Sequence, residues 1–168
     1  MFELAWLLDF IYGRYGLLGL FFVALVGNAT IFLPAPIDLL VFAVGALVDN
    51  PVFLLAVVFV TALGAALGEM SAYILGLLGV KTLQKMSEKR VEKIFEIGEN
   101  LANKGIIIIF FGSFTPFPFD LIGIAAGLVR YDYKKFFVAA FAGKLARYLV
   151  IAFAGFLGAT WVKGFFLI

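Results

Sequence analysis

FTPFPFDLI, residues 114–122, breaks an apolar run with Pro116 and Pro118 and then places Asp120. Proline has no N–H to donate and its ring clashes with the preceding turn, so one helix ends here and another begins. Asp120 is the lone charge of residues 105–129. The arms on either side, 105–115 and 119–130, reach only ~16–18 Å as helices. Neither crosses a hydrocarbon core of ~30 Å. The spacing therefore predicts a re-entrant hairpin that enters a membrane, turns near its midplane and leaves by the same face. Such backbone is tolerated only where protein or a water-filled cavity surrounds the tip. The alternative is an ordinary proline-kinked helix.

Composition sets the class. Of 168 residues, 64% are hydrophobic and 14% charged, and the mean hydropathy is +1.11, which places the chain among integral membrane proteins. A net charge of +2 lends nothing to nucleic-acid binding. The absence of Cys excludes disulfides and thiolate metal sites, and the absence of His removes the commonest metal ligand. The start, MFELAWLLDF, lacks the basic region of a cleaved signal peptide. There is no G-x-S-x-G, no Walker loop and no H-E-x-x-H, and Ser71 and Ser113 have no His partner. A non-enzyme without a cofactor is expected.

The hairpin pattern occurs twice. FLPAPIDLL, residues 32–40, lies 82 positions upstream. At that offset Pro34 meets Pro116, Pro36 meets Pro118, Asp38 meets Asp120, Leu39 meets Leu121 and Gly45 meets Gly127. Residues 23–48 are thus a second hairpin. Asp49-Asn50-Pro51 then signals a helix start, with Asn50 as cap and Pro51 at the first helical position. Residues 52–80 and 134–158 are two spanning helices. Residues 81–104 carry Leu83, Met86, Ile94, Ile97 and Leu101 at roughly helical spacing, with Lys-Glu pairs three apart. This is an amphipathic helix, either on the membrane surface or as a solvated connector, and residues 1–22 would be its counterpart. The whole chain is one membrane domain, repeat one about 1–80 and repeat two about 81–168. Counting crossings gives the two repeats opposite orientation, an inverted-repeat all-α fold. One face collects Lys81, Lys85, Lys89, Arg90, Lys93, Lys104, Arg130, Lys134 and Lys135, against Arg14 and Lys163 on the other. By the positive-inside rule the first face is cytoplasmic, in a multi-pass protein of the cell membrane.

Five charges lie within the apolar blocks: Asp38, Glu69, Asp120, Lys144 and Arg147. Each costs at least ~2.5–3.5 kcal/mol at a bilayer centre, so they face protein, water or one another. One reading is a central polar chamber. Its bases hold an anionic headgroup and its carboxyls exchange protons. The other is a structural salt-bridge network. Gly64 and Gly68, beside Glu69, form a G-x-x-x-G face for close helix packing.

FLPAPIDLLVFAVGAL, GAALGEMSAYILGLLG and FGSFTPFPFDLIGIAAGLVRYDYKKFFVAAFAGKLARY together resemble the DedA or VTT-domain (SNARE-associated) superfamily over roughly residues 20–160. The resemblance implies two facing re-entrant hairpins and lipid movement between leaflets, as flippase or scramblase. The lipid would be an anionic one, a polyisoprenyl phosphate carrier or a phospholipid, and protons are the implied coupling ion. Asp38 and Glu69 match acidic positions of the family. Many bacterial members carry Arg where Ser113 and Phe119 stand here, and an acid where Asn28 is the nearest polar residue. Lys144 and Arg147 are the candidates to supply the missing positive charge. Alternatives are a proton- or ion-coupled small-solute transporter and a non-catalytic scaffold.

Overall fold

A computed structural model of the chain describes residues 13, 16–29, 37–79 and 87–166. Pro34 and Pro36, the first expected tip, lie outside the described residues, as do 1–12 and 80–86. Every regular element described is helical: α1 Gly16–Ala29, α2 Ile37–Leu47, α3 Pro51–Leu77, α4 Glu88–Phe114, α5 Phe119–Leu128 and α6 Tyr133–Phe166. The first helix begins earlier than the expected arm at 23, because residues 16–22 are as apolar as residues 23–29.

α3 and residues Tyr133–Ala159 of α6 are each long and apolar enough to cross a membrane. α1, α2 and α5 have 14, 11 and 10 residues, so they reach only ~15–21 Å and cannot cross alone. The start of α3 is as expected from its sequence: Asn50 Oδ1 accepts from the N–H groups of Val52 and Phe53, with Pro51 at the first helical position. Asp132 does the same for α6 through the Lys135 N–H at 2.8 Å.

α4 contains the amphipathic segment and the first arm of the second hairpin in one helix, bent at Lys104, where φ is −130° and ψ 23°. The bend falls at the boundary expected from composition. Gly105 comes next, with the Tyr131 ring packed where a Cβ would stand. Ile94, Gly98 and Leu101 are buried with residues of α5, and Lys93 lies over the Phe117 ring at 4.9 Å. In the described part of the stripe, Ile94 and Leu101 are therefore covered by protein. α5 ends in a Schellman turn, with Tyr131 N–H to the Ala126 carbonyl and Arg130 N–H to the Gly127 carbonyl. Arg130 sits at φ 54°, the left-handed region that favours glycine. Arg130→Gly is expected to raise stability by about 0.5–1 kcal/mol in a thermal unfolding measurement. An unchanged or lowered midpoint would mean the Arg130 side chain offsets its strained backbone.

The same set of contacts occurs twice. α1 packs on α3, and the second half of α4 packs on α6. α2 packs on α6, and α5 packs on α3. Glycines set each approach. Gly64 of α3 abuts the Phe21 carbonyl, as Gly143 of α6 abuts the Phe110 carbonyl. Gly45 and Gly155 join α2 to α6, and Gly127 and Gly76 join α5 to α3. A Cβ at any of these would meet backbone that cannot swing aside. Gly127→Val and Gly45→Val are each expected to cost about 1–3 kcal/mol or more by overpacking. Unfolding midpoints equal to wild type would show that these helices separate freely.

Candidate functional site

The polar centre forms where helix ends meet the middle of α3 and α6. Gly68 of α3 lets the end of α1 approach so closely that a Cβ would contact the backbone of Leu25, Asn28 and Ala29. Ser71 Oγ then donates to the Ala29 carbonyl at 2.9 Å, one of the last carbonyls of α1 without an intrahelical partner. This places Asn28 opposite Lys144. Lys144 Nζ lies 2.7 Å from Glu69 Oε1 and donates to Asn28 Oδ1 at 3.0 Å. Ser113, near the end of α4, shares its single O–H between Glu69 Oε2 at 3.3 Å and the Ala140 carbonyl at 3.0 Å. Glu69, Ser113 and Lys144 are all buried, and Tyr148, also buried, stands beside Asn28. Asn28 fixes its own orientation by donating from Nδ2 to the Ala24 carbonyl at 2.8 Å.

One turn along α6, Arg147 makes a second, more open cluster. Its Nε donates to Asp38 Oδ1 at 3.0 Å and its Nη2 to Asp38 Oδ2, a bidentate pair. Its Nη1 donates to the Thr115 carbonyl at 2.7 Å. Pro116 ends α4 and leaves that carbonyl available. The side chains of Arg147 and Asp38 are 16% and 44% exposed, against 10% and 4% for Lys144 and Glu69, so the outer pair is reachable and the inner pair is not.

Asp38 and Asp120 each sit in the first turn of their helix, as expected. Only Asp38 has an ion pair. Asp120 has none among the described residues; it is half-buried in the field of Lys144 and of Arg90. Nor does it cap α5, whose N-cap position is Pro118 and which has no side-chain cap hydrogen bond. Pro116 and Pro118 lie in the turn between α4 and α5. In the sequence the charges stand out, whereas nothing marks Asn28, Ser113 and the Thr115 carbonyl as their partners. Asn28 and Ser113 are visible there only as departures from a family pattern. Among the described residues no three acids cluster closely enough to hold a metal ion.

An uncharacterized protein of Haemophilus influenzae is 22% identical over 147 residues, covering 83% of this chain and 71% of that one. No solved structure matches. The VTT domain family matches residues 33–157, from just before α2 to near the end of the spanning part of α6 and so across most of both clusters. The chain belongs to the VTT domain family, the DedA or SNARE-associated group of membrane proteins.

Proposed function

We propose that the chain moves an anionic lipid, a polyisoprenyl phosphate or a phospholipid, from one leaflet to the other without chemical change to it. The observation that carries this reading is the convergence of the ends of α1 and α4 and the start of α2 on Lys144 and Arg147, with α1, α2 and α5 each too short to cross a membrane alone. α1 with α2, and the second half of α4 with α5, are each read as a re-entrant hairpin. The doubled contacts favour an inverted repeat, in which what opens toward one leaflet has a counterpart opening toward the other. Lys144 and Arg147 face three carboxyls, Asp38, Glu69 and Asp120. An anionic headgroup gains net attraction there only when a carboxyl is displaced or protonated. This motivates protons as the coupling ion.

The test is reconstitution. Purified protein in liposomes should accelerate movement of a fluorescent anionic lipid above protein-free vesicles, and more than of a zwitterionic lipid with the same chains. Equal rates with and without protein, or uptake of a small solute with no lipid movement, would overturn the reading.

Orientation has its own test. The basic residues around α4 predict that this end is cytoplasmic in a multi-pass arrangement. The chain has no native Cys, so Ser87→Cys and Asn100→Cys, both at exposed positions, label cleanly. Both should resist an impermeant thiol reagent in intact cells and react after lysis. Ready labelling of intact cells would reverse the topology.

A further inference from the structure

An apolar groove of about 440 Å³ runs between the second half of α4 and the first turns of α6. Ile107, Phe110, Phe111, Val138 and Ala142 form its wall, and Lys134 and Lys135 stand at one end. Both helices run inward from that end, since Gly105 and Tyr131 meet there and Gly143 packs on Phe110 further in. Lys104, at the bend, and Arg130, just before α6, belong to the same end. The nearby acid, Asp132, is engaged through its side chain with the Lys135 backbone N–H.

We propose that this groove binds one acyl chain of an anionic phospholipid whose phosphate sits on Lys134 and Lys135. The apolar wall would leave the backbone polar groups of an extended peptide unsatisfied, whereas a hydrocarbon chain has none to satisfy. The charges are complementary along the molecule: oil in the groove, phosphate at the lysines. Lys134 Nζ lies 5.9 Å from the Tyr133 ring centroid, and neither ion pair among the described residues uses it. The groove is distinct from the Lys144 and Arg147 clusters. The contact of Gly143 with the Phe110 carbonyl and the Ser113–Ala140 hydrogen bond close the seam between α4 and α6. The site therefore binds lipid whether or not the polar centre transports it.

The experiment titrates purified protein in mild detergent with phosphatidylglycerol or with phosphatidylcholine of identical chains, reading the thermal unfolding midpoint. Phosphatidylglycerol should raise the midpoint saturably and at lower concentration than phosphatidylcholine. In Lys134→Gln/Lys135→Gln its apparent affinity should fall about 30-fold, about fivefold for each lysine near a membrane surface. Val138→Trp, at an exposed position, fills the groove without disturbing the core and should abolish both responses. Equal responses to the two lipids in the wild type, or an undiminished phosphatidylglycerol response in either variant, would overturn the proposal. So would quantitative cross-linking of Ile107→Cys between two chains in membranes, which would assign the groove to a second copy.

Discussion

Lys144→Ala is expected to cost about 3–5 kcal/mol of stability, because it strips the partner from a buried carboxylate. The ammonium lies 2.7 Å from Glu69 Oε1 and also satisfies Asn28 Oδ1. Without it, Glu69 keeps only the Ser113 hydroxyl at 3.3 Å, in a site where its side chain is 4% exposed. The pair itself is a different matter. Replacing both charges by neutral groups of similar volume is often neutral or stabilising, since neither charge then has to leave water. Glu69→Gln/Lys144→Met should therefore unfold near the wild-type midpoint while Lys144→Ala does not. The double variant separates fold from function: it should be folded and should move lipid far more slowly. A double variant as unstable as Lys144→Ala would mean that each side chain is held by contacts other than the pair. A stable Lys144→Ala would mean that water reaches Glu69.

Much of the helix layout was legible because its causes are local. Pro116 and Pro118 end a helix by their own chemistry, Asn50 and Pro51 start one, and the change from charged to apolar residues at 104 falls on the bend of α4. The pairing inside the site was not legible, because it depends on contacts distant in sequence. Lys144 and Arg147 are one turn apart on α6, so sequence places them on one face. Nothing in that spacing says that Lys144 takes Glu69 and Asn28 while Arg147 takes Asp38 and the Thr115 carbonyl. The repeat even misleads here. It equates Asp38 with Asp120, yet α6 offers its guanidinium to Asp38 alone. The two long helices differ in charge: α3 carries one acid, Glu69, and α6 two bases, so the matched aspartates meet different partners. The amphipathic segment holds a similar lesson. Its stripe of Ile94, Ile97 and Leu101 predicts a helix with one buried face and is silent on whether lipid, water or α5 covers it.

Arg147→Ala is expected to cut anionic-lipid movement at least tenfold while leaving the fold intact. The outer pair is only partly buried, so its loss should lower the unfolding midpoint less than the loss of Lys144 does. Its value lies in what it joins. One guanidinium holds Asp38, at the start of α2, and the Thr115 carbonyl, at the end of α4. A phosphate offers the same two-oxygen edge as the Asp38 carboxylate and so competes for the same N–H groups. Binding of a headgroup would then release Asp38 and loosen the tie between the two helix pairs. Arg147→Lys keeps the charge but loses the fork, and should restore only part of the rate. Asp38→Asn removes the competitor's charge and should also cut the rate at least tenfold, as should Asp120→Asn beside Lys144. If the folded Asp38→Asn and Asp120→Asn proteins move lipid at the wild-type rate, the carboxyls only brace the helices. The exchange of carboxylate for headgroup would then not be how the lipid passes.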